Sequence, residues 1–159
     1  MNFALTETQK AYLAGIIDGE GCITLRRAHK KRSGTTQYSL QLVISTTSIK
    51  LRAWLETIFR LKPHIWNPQL KDIHPNWRLQ YAFHLNGAPA SSLLSIVLPY
   101  LVIKREQAQL GVDMCETKGF HQGIPLSQET IEIMEEMYQE MCSLNHSDCI
   151  LLSELKGVG

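Results

Sequence analysis

Long apolar runs are missing from this chain of 159 residues: nothing in it approaches the roughly 18–20 uninterrupted apolar residues of a membrane span. No membrane partner is therefore expected. Cysteine is scarce and badly spaced for metal or redox work. Cys22, Cys115, Cys142 and Cys149 form no C-x-x-C pair, which argues against zinc-ribbon and dithiol chemistry and leaves reduced structural thiols. Residues 1–10 lack the basic-then-apolar order of a signal peptide, and the expectation is a protein that works in the compartment where it is made. Net charge is nearly absent as well, at +1, which on its face disfavours a phosphate polymer as partner. The distribution of charge reverses that inference. Residues 1–110 carry 14 Lys and Arg against 6 Asp and Glu, a local +8, whereas residues 111–159 carry 2 against 9, a local −7. A polyanion responds to the local field, so the first two thirds of the chain are a candidate nucleic-acid surface.

What is present is an alternation of helical and extended patterns. Thr6-Glu7-Thr8-Gln9 has the form of a capping box and predicts a helix to about Ile17, broken by Gly19 and Gly21. Residues 22–30 predict a strand with Ile23 and Leu25 on one face, Thr24 and Arg26 on the other. Residues 37–46 alternate as well, with Tyr38, Leu40, Leu42 and Ile44 opposite Gln37, Ser39, Gln41 and Ser45, so the two strands form a hairpin. Ser48 caps a helix that carries Leu51, Leu55 and Ile58 and ends near Leu61. A second hairpin is expected from residues 64–71 and 77–85. Helices follow at about 90–98 and 103–116, divided by Pro99. A last long helix starts at Ser127 with Ile131, Met134, Tyr138 and Met141 at helical spacing, and one short helix is allowed in the tail from Leu144.

The fold class is α+β, in a single domain over residues 1–159. An α-β-β-α-β-β-α core covers about residues 5–116, and a helical extension covers about 120–159. A four-stranded antiparallel sheet with helices on its apolar face leaves the other face to water or a partner. That face is predicted to carry Thr24, Arg26, Lys30, Ser39, Gln41, Ser45, Arg78 and Gln80, with Arg32 in the turn nearby. These side chains hydrogen-bond base edges and phosphates, and no carboxylate is among them. Trp66 and Trp77 are assigned to the core or the sheet edge in preference to this face.

The segment Leu13-Ala14-Gly15-Ile16-Ile17-Asp18-Gly19-Glu20-Gly21 carries the chemistry. Gly15 and Gly19 form a G-x-x-x-G with Ala14 beside it, and small residues at this spacing let two helix backbones approach closely. Asp18 and Glu20 fall where the helix ends, at the negative pole of its dipole. Two carboxylates there are costly without a cation. A divalent metal is one such cation, and Mg²⁺ accepts carboxylate oxygens. One chain offers one site, and two copies about a two-fold axis would bring two sites together, enough to cut both strands of a duplex.

This segment resembles the signature of the LAGLIDADG homing endonucleases, matching it at eight of nine positions by identity or conservative change, with Gly19 in place of alanine. The stretch from Leu98 to Ala108 is similar to a second recognisable segment of that family, and the element order is that of its core. The resemblance implies a saddle-like sheet that binds double-stranded DNA, and site-specific cleavage that promotes intron mobility. A single motif is similar to the homodimeric members, whose target spans two half-sites, about 20 base pairs or longer. It further implies that Glu20 binds Mg²⁺, with Mn²⁺ or Ca²⁺ able to take its place, helped by the backbone carbonyl of Gly19. Asp18 matches an acid that is structural in the family. Lys104 matches a lysine near the scissile phosphate, where a cation offsets developing charge. Arg52 and Ser48 match polar residues of the same pocket if one residue of offset follows the first hairpin; Trp54 supports that offset, and without it Thr47 replaces Ser48. Leu13, Ala14, Gly15, Ile17, Asp18 and Gly19 form the expected dimer interface. An RNA-binding maturase and a non-cleaving DNA-binding protein are the alternatives on the same fold. A reduced chain of this kind fits an organelle or a prokaryotic cytoplasm.

Overall fold

The computed structural model describes residues 3–30, 35–67, 78–119 and 126–147. The capping box forms at the start of the first helix, α1 (Glu7–Glu20): Gln9 N–H donates to Thr6 Oγ1 at 3.3 Å, and Thr6 N–H donates to Gln9 Oε1 at 3.0 Å. Helix α1 runs three residues beyond the expected end, so Gly19 does not break it. Its last carbonyls find partners instead. Gly21 N–H bonds Ile17 O, and the Lys104 ammonium reaches the same turn. Asp18 and Glu20 therefore occupy the last helical turn.

Strands β1 (Gly21–Lys30) and β2 (Thr35–Thr46) form the first hairpin, and helix α2 (Ile49–Phe59) follows behind the Ser48 cap. Helix α2 stops two residues short of Leu61 because Arg60 turns into the left-handed region at φ 53°. Strand β3 (His64–Trp66) has only three residues, shorter than the alternation suggested, and β4 (Gln80–Asn86) pairs with it antiparallel. Arg32, Trp77 and the expected turn between β3 and β4 lie outside the described residues. The sheet order is β1-β2-β4-β3, so the two hairpins meet along β2 and β4.

Helix α3 (Ala88–Val97) starts behind Gly87, whose φ of +59° favours glycine. Pro99 lies within a 3₁₀ turn (Leu98–Tyr100), which no N–H-donating residue is needed to start. Helix α4 (Arg105–Lys118) begins two residues later than expected, since Lys104 remains at the cap. Helix α5 (Gln128–Ser147) passes through Leu144 without a break, so no separate helix starts there, and the tail beyond it lies outside the described residues.

The core sits between the sheet and α1, α3 and α4. Ile23, Leu40, Leu42, Ile44, Phe83 and Leu85 from the strands pack against Leu13, Ile17, Leu93, Leu94 and Met114 from the helices, all within a few per cent of full burial. Each such side chain contributes about 1.5–3 kcal/mol when fully buried. The pleat supplies these residues by its period of two, and the alternate positions make the other, open face.

Helix α5 grips the helix-side face of the first hairpin through one carboxylate. Glu135 accepts from Arg27 Nη1 at 2.5 Å, from the Tyr38 hydroxyl, and from Gln139 Nε2 at 2.8 Å. The Arg27 guanidinium also lies 4.8 Å from the centroid of the Tyr138 ring. The hydrogen bond from Tyr38, then that from Gln139, holds the Glu135 carboxyl below its ordinary 4.5. Burial, then the Glu135 contact, pushes the Tyr38 hydroxyl up to about 12. A lowered acid contributes stability above its unfolded pKa and loses it as pH falls; a raised phenol contributes below its unfolded pKa and loses it as pH rises through about 12. The cluster is thus fully stabilising from above 4.5 up to about 10. Below about pH 5, Glu135→Gln is expected to lose less melting temperature on acidification than the wild type, as read by circular dichroism.

Candidate active site and nucleic-acid interface

The C-terminus of α1 and the N-terminus of α4 exchange charges. The Asp18 carboxylate accepts backbone N–H groups from Val102 at 2.9 Å and Lys104 at 2.9 Å, placing an anion at the positive pole of α4. In return the Lys104 ammonium donates to Ile17 O at 3.2 Å and to Asp18 O, placing a cation at the negative pole of α1. Partial burial acts to raise the Asp18 pKa, but the N–H groups of Val102, Lys104 and Ile103, with the Lys104 charge, outweigh it and hold the carboxyl below 3.8. The cation that two acids at a helix C-terminus require is therefore partly supplied by the chain itself. Asp18 is turned inward by these bonds, whereas Glu20 is exposed at the end of the helix. Lys104 and Glu20 are brought to the same turn.

Ser48 and Arg52 reach the same end of the sheet by a different route. Gly21 pairs with Ile44, and β2 ends shortly beyond at Thr46, opposite Tyr81. Ser48 caps α2 there, its Oγ accepting from Leu51 N–H at 3.3 Å. Arg52 is engaged by its neighbours: its Nε and Nη2 donate to Glu56 Oε1 at 3.1 and 2.9 Å, and its guanidinium lies 4.9 Å from the centroid of the Tyr81 ring. Arg52 thus reaches this end of the sheet as one half of an i,i+4 ion pair within α2.

Register assigns the open face of the sheet. Thr24 pairs with Gln41 and Arg26 with Ser39, Ser45 lies opposite Ala82, and Gln80 opposite Trp66. Lys30 is the last residue of β1, and Arg78 is exposed just before β4. The predicted polar residues that fall on strands thus share one face. The same register keeps Gln37 on this face and adds residues that the alternation alone did not single out: Cys22, Val43, His84, Asn86 and His64. Their signal was the period of two, which continues past Gln80 to His84 and Asn86. Gln41 Nε2 donates to Asn86 Oδ1 at 3.0 Å, tying β2 to β4 across this face. Trp66 sits on the edge strand and on the open face, 39% exposed. No carboxylate occupies the face among the described strand residues.

Helix α1 divides its signature residues between the inside and the outside. Leu13, Ala14 and Ile17 are fully buried in the chain's own core, which removes them from the expected interface. Gly15 and Gly19 are exposed, and a Cβ on either would meet nothing within 4 Å. Beside them lie the exposed apolar side chains of Tyr12, Val102 and Ile103. Tyr12 packs edge-on against Trp54 at 5.1 Å between ring centroids.

Among the described residues no three His, Cys, Asp or Glu side chains cluster closely enough to hold a metal. The available donors at the end of α1 are oxygens, from the Glu20 carboxylate and the carbonyl of Gly19. This set fits Mg²⁺, which keeps most of its water and takes one or two carboxylates plus phosphate oxygens. It does not fit a closed zinc site.

No family model matches the sequence, and no curated protein matches it. Solved structures do match the fold. The homing endonuclease I-CvuI, crystallised with the I-CreI target and Mg with the DNA uncleaved, superposes with a TM-score of 0.66 over 95% of this chain and 92% of that one, at 17% identity. The archaeal intron-encoded homing endonuclease I-Vdi141I, in complex with DNA, gives 0.64 over 87% and 84%, at 13% identity. I-SmaMI, bound to an uncleaved DNA target with calcium, gives 0.58 over 89% of this chain but 49% of its own, at 16% identity. These neighbours are LAGLIDADG homing endonucleases, the family whose signature α1 resembles. The chain has their fold.

Proposed function

We propose that this chain is a site-specific homing endonuclease that binds a long, pseudo-palindromic double-stranded DNA as a homodimer and hydrolyses one phosphodiester bond in each strand, promoting intron mobility. The carrying observation is the carboxylate-free, hydrogen-bonding face built by all four strands, with the exposed Glu20 at one end of it. Glu20 and the Gly19 carbonyl would hold Mg²⁺ there, and the metal would stabilise charge on the phosphate oxygens when bound. Lys104 fixes the end of α1 and so fixes where Glu20 projects, while its charge raises the local potential toward phosphate. Thr24, Arg26, Ser39, Gln41, Ser45 and Gln80 supply donors and acceptors toward base edges. Gly15 and Gly19 supply the close approach of a second α1.

Selection from a duplex DNA library with a randomised segment, followed by cleavage of the enriched sequence with and without Mg²⁺, tests this reading. Enrichment of a two-fold symmetric sequence that is cut only with Mg²⁺ supports it. Binding without cutting makes the chain a non-cleaving DNA-binding protein, and preference for an intron RNA makes it a maturase.

The exposed thiol of Cys22 provides a second check. It lies on the open face one residue from the start of β1. Alkylation with N-ethylmaleimide is expected to weaken binding at least about tenfold by inserting bulk into the interface. Bound DNA is expected to slow the alkylation. Mass spectrometry showing equal labelling with and without the selected duplex would place DNA elsewhere.

A further inference from the structure

The first hairpin is longer than the sheet that supports it. Strand β2 pairs with β4 only from Gln41 to Thr46, while β1 and β2 pair from Gly21–Ile44 out to Lys30–Thr35. The Leu40 carbonyl still accepts from Gly87 N–H at 2.8 Å, and beyond the Leu25–Leu40 pair the hairpin is a two-stranded ribbon, which is marginal in water without something packed on it. Arg26, Gln37 and Ser39 stand on the open face of this stretch.

Helix α5 supplies the missing support on the opposite face. Arg27 and Tyr38 are direct cross-strand partners, and both donate to the single carboxylate of Glu135. Tyr38 is additionally held by its carbonyl, which accepts from Lys118 Nζ at 2.8 Å. Nearer the base of the ribbon, Asn145 Nδ2 donates to Ile23 O at 3.0 Å. Neighbouring residues on a strand point to opposite faces. A clamp on the Arg27–Tyr38 pair therefore fixes the backbone that aims Arg26 and Ser39, which form the adjacent pair on the other side.

We propose that α5 is a strut for the reading surface and that Glu135 is a positioning residue, setting the aim of Arg26, Gln37 and Ser39 at the outer end of the ribbon without touching the ligand. This inference rests on the DNA-binding reading for its consequence, but not for its structural half. A base-edge contact discriminates only when its hydrogen bonds align, so a swinging ribbon keeps its positive charge and loses its selectivity.

Two measurements on Glu135→Ala and Glu135→Gln separate the halves. The first is native-state amide hydrogen exchange well below the melting temperature, without DNA. Exchange in residues 25–30 and 35–40 is expected to accelerate about tenfold or more in Glu135→Ala, less in Glu135→Gln, while β4 keeps the wild-type rate. The second is selection from the randomised duplex library. Base preference at the outermost positions of the enriched sequence is expected to fall about tenfold, in the same order of variants, with central preferences retained. Unchanged exchange overturns the strut whatever the DNA result. Faster exchange with unchanged preferences overturns the positioning role, as does a uniform loss at every position, which a merely weakened fold would give. A wild type that enriches no duplex overturns the DNA-binding reading, and the positioning role with it, while the exchange result still decides the strut.

Discussion

Glu20→Gln is expected to lower Mg²⁺-supported cleavage by about three orders of magnitude or more while leaving affinity for the selected duplex within about threefold of the wild type. The substitution keeps the shape of the side chain and removes one charge. Glu20 is exposed and takes no part in the core or in the Asp18–Lys104 exchange, so folding should change by no more than about 0.5 kcal/mol. A carboxamide is a poor ligand for Mg²⁺, and the other acid of this helical turn does not replace it, because Asp18 is committed to the backbone of Val102 and Lys104. Removing a negative charge beside a polyanion cannot by itself weaken binding, which makes the split between affinity and rate diagnostic. Binding is measured in Ca²⁺ or without metal, and cleavage in single turnover with Mg²⁺. Retained cleavage in Glu20→Gln would sink the assignment of Glu20. Loss of binding and cleavage together would mean that Glu20 serves the fold or the interface instead.

Much of the architecture was written in local patterns. The capping box at Thr6–Gln9, the alternation of Tyr38 through Ile44, the Ser48 cap and the spacing of Met134 and Met141 each depend on residues a few positions apart, and each formed as expected. The open face was legible for the same reason, since one period of two assigns every residue of a strand. What local patterns do not contain is the partner across the fold. The Asp18–Lys104 exchange joins residues 86 apart in sequence, and the Arg27–Glu135 pair joins residues 108 apart. The first of these explains why α1 runs on to Glu20 through a glycine. An isolated helix would stop earlier, but a cation at its end and a bonded last turn outweigh the poor propensity of Gly19.

Arg52 teaches the opposite lesson. Its partner Glu56 lies one helical turn away, and the i,i+4 spacing was visible in the sequence. The acids of α5 count in the sequence only toward the local −7 of residues 111–159. Glu135 shows that one of them faces the basic half of the chain, so the division of charge along the sequence is partly a device that docks the extension onto β1.

Two glycines of the signature, Gly15 and Gly21, should respond to the same substitution in opposite ways. Gly21 ends α1 where the chain enters β1, and a Cβ there would stand 2.6 Å from Ile17 O and 2.9 Å from Ile17 Cα. Those are backbone atoms of the last helical turn, which cannot yield without moving Glu20 and the carbonyls held by Lys104. Gly21→Ala is therefore expected to cost about 1–3 kcal/mol, lowering the melting temperature by roughly 3–10 °C. Gly15 meets nothing within 4 Å. In the isolated chain Gly15→Ala is expected to stabilise by up to about 1 kcal/mol, because alanine loses less entropy in a helix. In the proposed dimer the same methyl group would stand where a partner helix approaches, and self-association is expected to weaken about tenfold or more. Thermal unfolding at low concentration reads the first effect, and sedimentation equilibrium reads the second. A stabilised Gly15→Ala chain that still dimerises with wild-type affinity would remove α1 from the two-fold contact. A Gly21→Ala chain as stable as the wild type would mean that the entry into β1 relaxes around the methyl group, and that the position of Glu20 is less tightly built than the Lys104 and Asp18 bonds imply.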